Sequence, residues 1–156
     1  MMTYVVECSS DERLLLLMGA PRRSVVHEGN RDEVVKFILK KEAGKFIGMI
    51  DEDPGTIHGN QRRQFQDGPA QHDHYVASFQ DKKLVLLQPM LEGWLVKAVK
   101  SVGGSMSAID KGLSDDPREL HRTLAPRGDT RLKKVIDFLK EKDSPHLRAL
   151  RRTLGL

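Results

Sequence analysis

Short apolar runs alternate with helix-length segments over the first fifty residues of this chain, and this alternation restricts its fold more than any other feature. The runs fall at residues 4–6, 24–27 and 45–50. Strands that alternate with helices predict a parallel sheet, because each amphipathic helix must pack back over a face of the sheet between two strands. The resulting β-α-β-α-β order predicts an α/β domain.

Local capping signals place the helices between these strands. Ser9 and Glu12 have the spacing of a capping box, so a helix is predicted over residues 10–18. Asn30 is of a residue type that commonly caps a helix N-terminus, and it predicts the start of a second helix, with Glu33 three residues further on. Both helices lie where the alternating pattern requires a crossover between parallel strands.

Residues 56–81 show little periodicity and are rich in Gly, Gln, Asp, Arg and His. This segment is predicted to be a long exposed loop, with a short helix or strand near residues 75–79. It contains His58, His72 and His74, which we interpret as solvated loop residues, since no third spaced ligand accompanies them to form a transition-metal site.

The remaining pattern predicts a fourth strand at residues 82–87 and helices at residues 131–140 and 145–154. A chain of 156 residues fits one domain. We therefore predict a single α/β domain with a mostly parallel sheet of about four strands flanked by helices. The sheet core would span about residues 1–100, and a helical extension about residues 101–156.

Composition adds few restrictions. The net charge of +4 and the pI near 9.3 are compatible with a polyanionic partner but are common in other proteins. Cys8 is the only cysteine, which excludes an internal disulfide and suits a reducing compartment. The longest apolar stretch, residues 14–20, is too short to span a bilayer. A cytoplasmic protein is therefore expected.

Carboxylates follow two of the predicted strands. Glu7 comes directly after the first strand, and Asp51 and Asp53 follow the third. The carboxyl ends of parallel strands meet at one edge of an open α/β sheet, where such folds place their ligands. Carboxylate oxygens suit Mg²⁺ or Mn²⁺, so a divalent metal site is predicted at this edge.

These motifs resemble the topoisomerase-primase (TOPRIM) fold, which carries a glutamate after its first strand and Asp-x-Asp after its third. Here the two motifs lie at residues 5–12 and 48–55. The resemblance covers roughly the first half of the chain and the fourth strand. The chain is most similar to small stand-alone TOPRIM-like proteins of uncharacterised families, in which a proline and an acidic-aromatic run follow the fourth strand, as at residues 89–94.

The resemblance implies Mg²⁺-dependent (or Mn²⁺-dependent) phosphoryl transfer on nucleic acid by a nuclease or nuclease-like component. Asp51 and Asp53 would bind the metal, and Glu7 would complete the metal shell or act as general acid or base. Glu92 is a candidate additional ligand. Cys8 departs from the family pattern, which commonly has glycine after the glutamate. An ATPase or other protein partner and a homodimer are further expectations.

Four basic residues are candidates for contacts with nucleic acid: Arg62, Arg63, Lys82 and Lys83. Two alternative functions remain open. One is a non-catalytic module whose acidic edge binds a metal or a partner protein. The other is a receiver-like domain with Asp51 as phospho-acceptor, for which only one carboxylate, Glu7, follows the first strand. Aspartates also cap helices and turns, so the same residues permit a purely structural role.

Overall fold

The computed structural model describes residues 1–56 and 59–156, so Ile57 and His58 of the predicted loop lie outside the described residues. The strands are β1 (Thr3–Val6), β2 (Val25–His27), β3 (Phe46–Asp51), β4 (Gln66–Asp67), β5 (His74–Phe79) and β6 (Lys82–Leu87). The helices are α1 (Ser9–Leu17), α2 (Arg31–Lys40), α3 (Asn60–Arg63), α4 (Leu91–Ser101), α5 (Met106–Ile109), α6 (Pro117–Leu124), α7 (Arg131–Glu141) and α8 (Pro145–Leu154).

The strands form one mixed sheet in the order β2-β1-β3-β6-β5-β4. The four strands β2, β1, β3 and β6 are parallel, whereas β5 and β4 add to the β6 edge in antiparallel fashion. The predicted α/β class with a mostly parallel sheet flanked by helices is confirmed. The predicted number of strands is wrong, because the described residues contain six.

The two extra strands come from the segment predicted to be a loop. β5 covers residues 75–79, for which a short helix or strand was predicted, and joins β6 through Gln80 and Asp81, whose φ angles are 49° and 63°. Positive φ at both central residues is typical of a tight hairpin turn, but these residues lack the usual Asn-Gly or Asp-Gly signature. His74, predicted to be solvated, is fully buried at the start of β5.

The strands bury both faces of the sheet. Alternate residues of the parallel strands point into two separate hydrophobic clusters, one shared with α1, α4 and the C-terminal helices and the other with α2. Gly48 of β3 lies against α2, where an added Cβ would lie 2.7 Å from Leu84 Cδ2 and 3.0 Å from Val34 Cγ1. Helices α1 and α2 therefore cross over opposite faces of the sheet.

Capping at the first two helices differs from one to the other. Asn30 accepts a hydrogen bond from the Glu33 N–H at 3.0 Å, as predicted for α2. The capping box predicted at Ser9 and Glu12 is wrong, because Cys8 is the N-cap of α1, and in the part of the chain that the structure describes its side chain makes no capping bond. The Glu12 N–H instead bonds to the Cys8 carbonyl at 3.3 Å.

The C-terminal helices pack on the face of the sheet that α1 covers. Leu120 and Leu124 of α6 are fully buried there, and Arg13 of α1 donates hydrogen bonds to the Leu124 and Asp129 carbonyls. The predicted helices at residues 131–140 and 145–154 are confirmed as α7 and α8. Within the described ranges, every helix is too short or too polar to cross a membrane.

Candidate functional site

The chain order creates a topological switch point between β1 and β3. From β1 the chain passes through α1 to β2, and α2 then returns it across β1 to β3 on the other side. Ligands of open α/β sheets bind outside the carboxyl ends of the strands at such a point. Glu7 directly follows β1 and Asp51 ends β3, so both predicted site residues lie there.

Five acidic residues, which we call the acidic group, gather at this edge. They are Glu7, Asp11, Asp51, Asp53 and Glu92. The first turn of α1 contributes Asp11, and the first turn of α4 contributes Glu92. Because a helix that follows a parallel strand begins at the carboxyl end of that strand, the starts of α1 and α4 approach the same edge.

Burial and nearby like charges raise the pKa values of three residues of the acidic group, Glu7, Asp11 and Asp51. Burial is the largest cause of the raised pKa of Asp51, and the neighbouring charges of Asp11, Glu7 and Glu92 raise it further. The pKa of fully buried Asp11 is also raised, first by burial and then by Glu7 and Glu92. The pKa of Glu7 is raised by burial and by Asp53, against the opposing effects of the Asp51 backbone and Arg31. Gathered carboxylates without compensating charge cost free energy.

Hydrogen bonds hold the two aspartates of the predicted Asp-x-Asp motif in place. Asp51 Oδ1 accepts a bond from the Leu91 N–H, the first residue of α4, at 2.9 Å. The Asp53 N–H donates to the Pro89 carbonyl at 2.9 Å, and Asp53 has a left-handed backbone with φ of 49°. The Asp51 carboxylate therefore caps the start of α4. Both aspartates are held against the segment that connects β6 with α4.

Asp11 contains a buried oxygen without a partner. The Cys8 thiol donates to Asp11 Oδ2 at 3.1 Å, whereas Asp11 Oδ1 has no hydrogen-bond partner in the described part of the chain. A buried carboxylate oxygen is normally satisfied by a donor or a cation. The residue is 1% exposed, so bulk solvent does not reach it freely.

Glu92 is buried and paired with a histidine from the C-terminal helices. Its side chain is 4% exposed, and Glu92 Oε1 lies 2.8 Å from His121 Nδ1 of α6. The first turn of α4 thus carries a second buried carboxyl to the edge of the sheet, and α6 lies directly above it. The candidate additional ligand Glu92 and the predicted Asp51 share one pocket.

This pocket has a volume of about 390 Å³. Acidic side chains from the sheet edge and α4 line one part of it, and basic side chains of α6 line another. The lining residues are Asp51, Asp53, Met90, Glu92, Arg118, His121 and Arg122. Its volume is in the range of small-ligand sites.

Other predicted residues lie away from this pocket. Arg62 is buried and pairs with Asp67 at 2.7 Å, and Arg63 is exposed on α3. Lys82 and Lys83 begin β6, about 17 Å and about 13 Å of strand before Leu87, the residue that pairs with Asp51. None of these four candidate nucleic-acid contacts is among the described residues that line the pocket.

The described side chains of the acidic group do not form a metal-coordination shell. Among the residues that the structure describes, no three His, Cys, Asp or Glu side chains are gathered closely enough to hold a metal ion. Glu7 and Asp53 are only partly buried, so their side chains have room to rotate. A cation would therefore require rearrangement of these carboxyl groups.

The sequence analysis did not identify the contribution of Asp11 or of three α6 residues, Arg118, His121 and Arg122. The position of Asp11 in the first turn after β1 was a usable signal. No local pattern indicates that α6 lies above α4, because that contact depends on packing between segments distant in the chain.

Comparisons with protein-family models, curated proteins and solved structures give no match.

Proposed function

We propose that the acidic group binds a divalent cation, Mg²⁺ or Mn²⁺, and that the protein uses it in phosphoryl transfer on nucleic acid, as a TOPRIM-like nuclease or nuclease-like component. The fold class and the placement of Glu7, Asp51 and Asp53 at the switch point support this assignment. The Asp-x-Asp motif after β3 and the glutamate after β1 are the residues that carry the resemblance to TOPRIM proteins.

The observation that carries the proposal is the unsatisfied Asp11 Oδ1 beside other carboxyls whose pKa values are raised. Burial and repulsion between like charges both oppose ionisation of Asp11 and Asp51. A divalent cation would reverse the local balance of charge and favour the ionised carboxylates. The residues fit Mg²⁺ or Mn²⁺ because all of their ligand atoms are hard oxygens.

Each residue would have a distinct role. Asp51 uses Oδ1 for the Leu91 amide, which leaves Oδ2 for a cation, and Asp53 supplies a second carboxylate two residues later. Burial raises the pKa of Glu7, and a carboxyl with a raised pKa holds its proton more readily, as a general acid must. When bound, the metal would neutralise charge that develops on a phosphodiester in the transition state.

The Asp51–Leu91 bond favours a second candidate function, a non-catalytic module that binds a cation or a partner protein. The Asp51 carboxylate caps the first turn of α4 and joins the sheet to that helix. This structural role explains the position of Asp51 without any catalysis. Cleavage separates the two candidates, because only the catalytic protein hydrolyses nucleic acid. The receiver-like alternative requires an ionised, accessible Asp51, and phosphate uptake from acetyl phosphate would test it.

The test is a calorimetric titration with Mg²⁺ and Mn²⁺, followed by incubation with single- and double-stranded DNA and RNA. The variant is Asp51→Asn/Asp53→Asn, and the matched control is Asp137→Asn, an exposed aspartate on α7 paired with Lys133. We expect metal binding and cleavage in the wild type and the control and neither in the double variant. Metal binding without cleavage would support the non-catalytic module, and no binding would refute both metal-dependent functions.

A further inference from the structure

Three basic side chains lie on one side of α6. Arg118, His121 and Arg122 have i, i+3 and i+4 spacing, which places them on adjoining positions of the helix surface. The opposite side of α6 is anchored by Leu120 and Leu124, both fully buried. The basic side is therefore held in a fixed orientation by the core.

This side of α6 lines the same pocket as the acidic residues. Arg118 and Arg122 contribute to it together with Asp51, Asp53 and Glu92. Arginines placed beside carboxylates ordinarily form ion pairs, yet in the described ranges neither guanidinium has a carboxylate oxygen within 4.0 Å. Opposite charges thus face each other across a space of about 390 Å³.

The His121–Glu92 contact ties the two charged sides together. His121 lies between the two arginines in the chain, and its Nδ1 is 2.8 Å from Glu92 Oε1. This contact fixes α6 relative to the first turn of α4, and Asp51 is fixed to the same turn through Leu91. The arginines and the carboxylates are consequently positioned by one connected set of contacts.

We propose that Arg118 and Arg122 bind a phosphate group of the substrate and hold it against the cation of the acidic group, an inference that rests on the proposed function. Guanidinium groups donate paired hydrogen bonds that match phosphate oxygens. Carboxylates alone would repel a phosphate, so an anion reaches this pocket only with compensating positive charge. The arginines supply that charge from one side and the cation supplies it from the other.

The experiment measures binding of two probes by fluorescence anisotropy, a labelled single-stranded DNA hexamer and a labelled nucleoside diphosphate. Ca²⁺ replaces Mg²⁺ in this assay, because Ca²⁺ also binds oxygen ligands and its coordination geometry is less strict than that of Mg²⁺. The variants are Arg118→Gln/Arg122→Gln and the charge-preserving Arg118→Lys/Arg122→Lys. The control Arg148→Gln/Arg152→Gln removes two arginines at the same spacing from α8, where Arg152 lines a groove beside Met2 and Phe46. Mn²⁺ calorimetry on each variant monitors the acidic group.

We expect the glutamine variant to lose about tenfold or more in affinity for the probe that the wild type binds. If that probe is the hexamer, the slope of log affinity against log salt should become shallower by about 0.7, because the contact with one phosphate is lost. The lysine variant should retain part of the affinity, since charge remains but the planar donor pair is lost. The control and the Mn²⁺ affinity should not change. The probe that binds identifies the source of the phosphate.

Two outcomes would overturn the inference while leaving the proposed function intact. One is wild-type affinity in the glutamine variant, and the other is failure of both probes to bind a wild-type protein that binds Mn²⁺. Absence of Mn²⁺ binding by the wild type would instead overturn the proposed function. A loss of affinity in the α8 control equal to that of the α6 variant would show that general charge, rather than this pocket, attracts the probe.

Discussion

Asp51 Oδ1 accepts a hydrogen bond from the backbone N–H of Leu91 at 2.9 Å, so the last residue of β3 is joined to the first residue of α4. Forty residues of sequence separate the two, and the contact exists because β3 and β6 are neighbouring parallel strands. The same carboxyl lies in the field of Asp11, Glu7 and Glu92. Asp51 therefore stabilises the connection and simultaneously adds to the electrostatic cost of the acidic group.

Asp51→Asn should make the metal-free protein more stable. Asparagine retains an oxygen that can accept the Leu91 amide, and its side chain is neutral at every pH. The folded wild type must instead keep a proton on Asp51 near pH 8, because burial and neighbouring charges raise the pKa of this residue to about 9. We expect a gain of about 1 kcal/mol, or a rise in Tm of roughly 2–4 °C, in EDTA near pH 8. Differential scanning calorimetry measures this change, and Asp137→Asn is the control. A lower Tm for Asp51→Asn would show that the Leu91 contact outweighs the repulsion.

The stability of the metal-free wild type should fall as pH rises. Burial and neighbouring charges raise the pKa of Asp11 to about 7 and that of Asp51 to about 9. At pH values above the ordinary pKa of an aspartate, the folded chain therefore binds more protons than the unfolded chain. The free energy of unfolding then decreases as pH rises, until both aspartates ionise in the folded state. Chemical denaturation from about pH 5 to about pH 9 should show this decline, and Mg²⁺ should reduce it most at high pH. A flat profile that Mg²⁺ leaves unchanged would contradict the proposed charge balance.

His121→Ala should destabilise the protein although His121 itself is exposed. The substitution removes the partner of Glu92 Oε1 and leaves a buried carboxylate with one contact fewer. We expect a loss of about 1–3 kcal/mol in the free energy of unfolding. Glu92→Gln in the His121→Ala background should recover part of this loss, because a neutral amide is less costly to bury. Equal stabilities of the wild type and His121→Ala in urea denaturation would show that the pair contributes little.

Gly48→Ala should weaken the packing of α2 on β3. The added Cβ would lie 3.0 Å from Val34 Cγ1 of α2 and 2.7 Å from Leu84 Cδ2 of β6, closer than carbon atoms normally approach. Overpacking of this kind costs about 1–3 kcal/mol. Gly29→Ala is a matched control, since an added Cβ there meets no atom of the described residues within 4 Å. Urea denaturation of both variants checks the prediction, and equal destabilisation by the two would refute the close packing at Gly48.

Cys8 should react slowly with alkylating reagents in the folded protein. Burial and the nearby Asp11 carboxyl raise the pKa of its thiol, and the thiolate is the reactive form. Mass spectrometry after iodoacetamide treatment near pH 8 should show little modification in the native state and full modification in guanidinium chloride. Rapid modification of the native protein would mean that the Cys8–Asp11 contact opens readily.

Several features of the fold followed from short stretches of sequence. The alternation of apolar runs and helical segments predicts the parallel strands and crossover helices, because periodicity reflects which residues must be buried. Asn30 and residues 82–87 were sufficient to locate the start of α2 and the whole of β6. The β5–β6 hairpin escaped prediction because Gln80 and Asp81 adopt positive φ without the glycine that usually marks such a turn.

The sequence by itself determined that carboxylates would follow β1 and β3, since strand ends are local features. Only the tertiary structure decided which further groups meet them. Asp11 joins the acidic group because α1 begins at the same edge, and Glu92 because β6 lies beside β3. Arg118 and His121 reach the pocket because α6 packs against α4 through buried leucines. Such contacts depend on burial of apolar surface between distant segments, and no local pattern in the chain encodes them.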